Sequence, residues 1–120
     1  MPNLGQATRE AADHFESLTG IHVEMDLRDL ILPGAWIMPQ QIRYDRLDET
    51  TATGVWEVNL IAGPTLDLMD ALDEISSMAA KVNEAGLGDG TFETASVTLM
   101  NHSPDPIPAM TFTLELEVTD

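Results

Sequence analysis

In a chain of 120 residues without a cysteine, acid–base or metal chemistry would have to come from three histidines and 21 carboxylates. Their tightest grouping is His22, Glu24 and Asp26, which alternate with Ile21, Val23 and Met25. On a strand, alternate residues share a face, so the three could in principle converge on a cation. Structural zinc sites, however, take four closed ligands and usually cysteine or several histidines. An ordinary polar strand face is the better reading. His14 and Glu16 fall on a helical stretch and read as solvated surface. "GLGDG" at 86–90 lacks the lysine and hydroxyl of a phosphate loop and is explained as a helix stop followed by a turn. "DLMDALDE" at 67–74 lacks the central glycine and the closing glutamate of a calcium loop. Nucleophilic catalysis has little to work with. The expectation is a protein that is not an enzyme and holds no cofactor or metal.

The charge balance is the strongest compositional feature. Five Lys and Arg face 21 Asp and Glu, a formal charge of −16. Such a surface repels phosphate backbones and anionic membranes alike. A 13-residue uncharged run, 30–42, is interrupted by Pro33, Gly34 and Pro39. It is too short for a bilayer, which needs about 20 apolar residues. The start, "MPNLGQATRE", carries no apolar signal-like core, so a cytoplasm-like compartment is expected. The length suits one domain over 1–120.

The elements that would position these residues follow from periodicity. Leu4, Ala7, Ala11, Phe15 and Leu18 recur at helical spacing over 4–18, with Asn3 as N-cap and Gly20 as stop. Residues 21–27 alternate as a half-buried strand. "AWIM" reads as a second strand ending at Pro39, with an edge or bulge there. Residues 43–54 are polar and rich in turn formers, suggesting a long hairpin loop before "VWEVNLIAG", which places Trp56, Val58, Leu60 and Ala62 on one face. A helix is predicted from Thr65, as its cap, to about Ala85, burying Leu68, Leu72, Ile75, Ala79 and Val82. "TFETASVTLM" is a strand, "NHSPDPIP" at 101–108 a proline-rich loop, and "AMTFTLELEV" a strand with Met110, Phe112, Leu114, Leu116 and Val118 inward. The sum is an α+β domain, with an N-terminal and a central helix packed on one face of a mixed, mostly antiparallel sheet of about four strands.

In this order of parts the chain resembles the tail-terminator (tail-completion) proteins of long-tailed bacteriophages, especially those of actinobacterial phages. The resemblance runs through "DLRDLILPGAWIMPQQI", "GVWEVNLIAG", "DLMDALDEISSMAAKV" and "IPAMTFTLELEV", nearly the whole chain. Met110 departs from it, standing where an aromatic is commoner. The resemblance implies a virion protein of the tail or neck, assembled in the host cytoplasm. It implies a ring, usually of six copies, that caps the tail tube, ends its polymerisation and joins it to the head connector. Its partners would be further copies, the major tail protein and the connector or head-closure protein, with genomic DNA passing through unbound. Interface candidates are Arg43, Tyr44, Asp45, Arg46 and Asp48 in the first polar loop, and His102 and Asp105 in the second. Channel-lining candidates are Asp67, Asp70, Asp73 and Glu74 on the second helix, or Glu115 and Glu117 on the last strand. The alternatives are another head–tail joining protein, such as a head-closure or tail-tube component, and a small acidic binding module or DNA mimic.

Overall fold

A computed structural model describes residues 4–26, 29–44, 51–63, 67–99 and 103–119. The chain begins with α1 (Leu4–Thr19), whose Ala7, Ala11 and Phe15 are buried at spacings of four, joined by Thr8 and Ala12. Leu4 and Leu18, expected on the same face, are exposed, Leu18 at the rim of a cleft it shares with Ala85, Leu87 and Leu114. Gly20 ends the helix at φ 72°, and its N–H donates to Glu16 O at 2.8 Å.

The alternating stretch after Gly20 makes only a two-residue strand, β1 (Val23–Glu24). It pairs in parallel with Ala35 and Trp36 of β2 (Gly34–Tyr44). A parallel neighbour needs a crossover, so the chain leaves the sheet after Glu24 and crosses back to the start of β2. The Trp36 indole donates to Met25 O at 3.2 Å across this crossing. Gly34 permits it: a Cβ there would overlap Ile31 O and lie 3.2 Å from His22 O.

β2 does not stop at Pro39. The ladder shifts between Pro39 and Gln41, then continues to Tyr44 against β3 (Thr51–Ile61). The expected bulge is therefore present, but as an interruption rather than an end. Strand takes in 43–44 and 51–54 at both ends of the 43–54 expected as loop, and the rest of that stretch lies outside the described residues. Trp56, Val58 and Leu60 share the buried face as predicted.

The second helix, α2 (Leu68–Glu84), is capped by Asp67, whose carboxylate accepts from Asp70 N at 2.8 Å. The predicted cap, Thr65, lies outside the described residues. Ile75, Ala79 and Val82 are buried as expected, with Ala71 and Met78, whereas Leu68 is 63% exposed and Leu72 half-buried. Gly86 then takes φ 75°, and Leu87 turns back into the core.

β4 (Glu93–Leu99) and β5 (Ser103–Thr119) complete a five-stranded sheet of order β1-β2-β3-β5-β4, antiparallel except for β1–β2. β5 begins at Ser103, so 103–108, expected as loop, is strand. Three prolines sit in that half, Pro104, Pro106 and Pro108. They are tolerated for two reasons. Pro108 O accepts from Ala62 N at 3.2 Å, on the β3 side. A residue's N–H and C=O point to the same side of a strand, so the missing N–H of Pro108 removes no bond to β4, while Pro104 and Pro106 fall between Ile107 and Ser103, where the ladder with β4 shifts register.

Both helices pack on one sheet face around Phe15, Ile37, Trp56, Val58, Met78, Val82, Phe112 and Leu114. Trp56 fills the centre and donates its indole N–H to Thr8 Oγ1 at 2.9 Å. Its ring lies over Gly54, where a Cβ would overlap it. A second cluster at the other end of the sheet gathers Leu30, Ile61, Ala62, Ala71, Ile75, Ile107 and Ala109.

Candidate functional site

The sheet face turned away from the helices is where the acidic pattern becomes a surface. Opposite the buried sequence Trp56, Val58, Phe112 and Leu114, the alternate residues of β3 and β5 point outward. In register these are Thr53 with Glu117, Val55 with Glu115, Glu57 with Thr113, and Asn59 with Thr111. Glu57, Glu115 and Glu117 therefore stand on one face of two adjacent strands, and Glu93 of β4 flanks them opposite Thr111. Thr111 donates its hydroxyl to Asn59 Oδ1 at 2.8 Å, closing off the one buried amide on this face. Arg43, past the β2 bulge, reaches diagonally over β3 to Glu115 at 3.2 Å. Both side chains are more than half exposed, so the pair holds little energy in water, about 0–1 kcal/mol. It leaves a face with a surplus of carboxylates.

The α2 carboxylates lie on the opposite side of the sheet. Asp67 is committed as the helix cap, and Glu74 accepts from Gly63 N at 2.7 Å, tying the end of β3 to α2. Asp70, Asp73 and Glu74 line a cleft of about 690 Å³ with His22, Pro33 and Lys81. The two sets of predicted channel residues thus do not share a face of the sheet.

His22 sits between two carboxylates. Its Nδ1 is 3.3 Å from Glu16 Oε1, and its Nε2 is 3.0 Å from Glu24 Oε1, the latter contact without hydrogen-bond alignment. The contact spans the end of α1 and β1. Asp26 follows the end of β1, so the three residues that alternate in sequence do not share a strand face. Among the described residues, no three His, Asp or Glu are grouped to hold a metal ion.

Of the interface candidates, Arg43 and Tyr44 end β2, with Tyr44 46% exposed on the helix side of the sheet, beside Ala52. Asp45, Arg46, Asp48 and His102 lie outside the described residues, as does the side chain of Asp105, whose backbone belongs to β5. Glu57 and Glu93 were not singled out from sequence. The signal was present for Glu57, a carboxylate alternating between Trp56 and Val58 in a period-two strand.

Among the described residues no helix is long and apolar enough to cross a membrane. A scan against protein families finds no match, and a search of curated proteins finds none either.

Proposed function

We propose that this chain is a structural protein of a long-tailed phage, the subunit of a ring that caps the tail tube, ends its growth and joins it to the head connector. The observation that carries this reading is the open sheet face, where Glu57, Glu115 and Glu117 stand together with, among the described residues, no helix over them. Binding to DNA requires cations that displace the counterions condensed on phosphate. A face with carboxylates in surplus denies DNA that contact, which suits the wall of a conduit. The order of parts resembling tail terminators supports the same assignment. Of the two acidic sets, the sheet face is the better lining, because Asp67 and Glu74 on α2 already serve the fold.

In this reading six copies form the ring, the tube protein and the head connector or head-closure protein are the neighbours, and the place of action is the virion neck after assembly in the host cytoplasm. The chemistry is non-enzymatic. The test is to add purified protein to growing tubes of the major tail protein encoded beside it. Rings at tube ends and arrested elongation are the expected result. A ring that binds the head side instead moves the chain to head closure. A stable monomer that ignores tube ends and pairs one-to-one with a basic protein replaces this function with an acidic binding module.

A further inference from the structure

The sheet has two open edges at the same height. β1 covers β2 only at Ala35 and Trp36, and β4 covers β5 only as far as Thr111. Beyond those points, among the described residues, no strand pairs with the outer side of β2 or of β5. The β2 edge is further restricted by Pro39 and the shift to Gln41, devices that block strand addition. What stays free of strand pairing is 41–44 on one edge and 114–118 on the other, where the 85–89 turn stands off from 113–116 across a cleft of about 570 Å³. The ladder puts them level: Ile42 is opposite Gly54, which is opposite Leu116, and Tyr44 is opposite Ala52, which is opposite Val118.

β2 and β5 are both antiparallel to β3, so they run the same way. A second copy in the same orientation would bring its β2 edge alongside the β5 edge of the first as a parallel neighbour, with helices on the same side. The side chains match this placement. Past the bulge, Ile42 and Tyr44 point to the helix side. Beside the β5 edge, on that side, lies a groove of about 310 Å³ between α1 and the strand, lined by Ala7, Ala11, Trp56 and Leu116 with His14 and Glu117. On the other face, Arg43 of the incoming copy would meet Glu115 and Glu117 one strand away, whereas within its own chain it reaches Glu115 two strands away.

We propose that copies of this chain join head to tail, 41–44 of one adding to the 114–118 edge of the next, with Tyr44 entering the groove beside Leu116. Donor and acceptor edges are different surfaces, so the contact is heterologous and propagates into a ring or a filament. The inference rests on the edges and not on the phage assignment.

The absence of cysteine makes the test direct. The double variants Arg43→Cys/Glu115→Cys and Arg43→Cys/Glu117→Cys place thiols on the open face at opposite edges. Within one chain they are separated by two strand spacings, about 9.5 Å between Cα atoms. A disulfide spans only about 4.4–6.8 Å, so any bridge is between copies. Mild oxidation at high protein concentration is expected to shift the monomer band into a ladder of dimers, trimers and larger species in at least one double variant. Each single variant should stop at background dimer, and mixing Arg43→Cys with Glu117→Cys or Glu115→Cys should restore cross-linking. Tyr44→Asp, at an exposed position, should abolish the ladder while leaving the circular dichroism spectrum unchanged. Folded double variants that stay monomeric, or efficient homodimers from any of the three single variants, would overturn head-to-tail pairing. A ladder from protein that fails to arrest tubes keeps the pairing and removes the terminator function; arrested tubes without a ladder do the reverse.

Discussion

Thr8→Val tests how α1 is held on the sheet. The hydroxyl accepts the Trp56 indole N–H at 2.9 Å and donates to Leu4 O at 2.7 Å, and both residues are buried. Valine preserves the volume, so no cavity opens. Leu4 O keeps its helical partner, so losing the second bond costs little. The indole N–H, however, is left without an acceptor in a site water does not reach. An orphaned buried donor costs about 1–3 kcal/mol. For a domain of this size each kcal/mol lowers Tm by about 4 °C, so a drop of about 4–12 °C is expected. Thermal melts and urea titrations followed by circular dichroism would read it, with the urea slope unchanged. Trp56→Phe removes the donor, so in that background Thr8→Val should lose most of its effect, with a coupling of about 0.5–3 kcal/mol. A Thr8→Val protein within about 0.5 kcal/mol of the parent would refute the reasoning, since that is the spread of neutral surface changes. So would a cost that persists undiminished in the Trp56→Phe background.

Gly54→Ala should destabilise by about 1–3 kcal/mol through overpacking, because its Cβ meets the Trp56 ring; denaturant titration reads this, and Trp56→Leu in the same chain should relieve part of it. Asp67→Ala should cost about 1 kcal/mol of stability by uncapping α2, whereas Thr65→Ala should cost less than half of that in the same titration. Replacing Glu57, Glu115 and Glu117 together by lysine, which with Arg43 makes the face cationic, should produce DNA retention at low salt that disappears as salt rises, measured by filter binding; Asp70→Asn with Asp73→Asn should not. His22→Gln should shift stability by no more than about 1 kcal/mol, since both partner contacts are partly solvated; a larger loss in thermal melts would make the Glu16–His22–Glu24 contact a structural tie.

Much of the fold was legible because local periodicity and burial agree. The alternation from Met110 to Leu116 is inward as written in the sequence, and the Ala7, Ala11 and Phe15 spacing is the buried stripe of α1. What misled were residues whose meaning depends on a neighbour strand. Proline read as a strand breaker at 39 and through 104–108, yet both segments are strand: Pro39, Pro104 and Pro106 sit where a ladder shifts register, and Pro108 turns its missing N–H away from β4. The 21–27 alternation promised a full strand, but only two residues find a partner before the chain must cross back. The acidic candidates were legible as residues, and their placement was not: helix periodicity and strand periodicity each mark an exposed face without saying whether the two faces coincide.

Composition and pattern by themselves determined the charge, the absence of thiol chemistry, the two helices and the inward faces of the main strands. These follow from residue type and from periods of 3.6 and 2, which are local properties of the backbone. Only the tertiary structure decided that Glu57, Glu115 and Glu117 share a face opposite the α2 carboxylates, that Gly54 makes room for Trp56, and that two edges stay open at one height. Each of these depends on which strands lie side by side and in what register, and register is set by long-range pairing that no stretch of sequence contains.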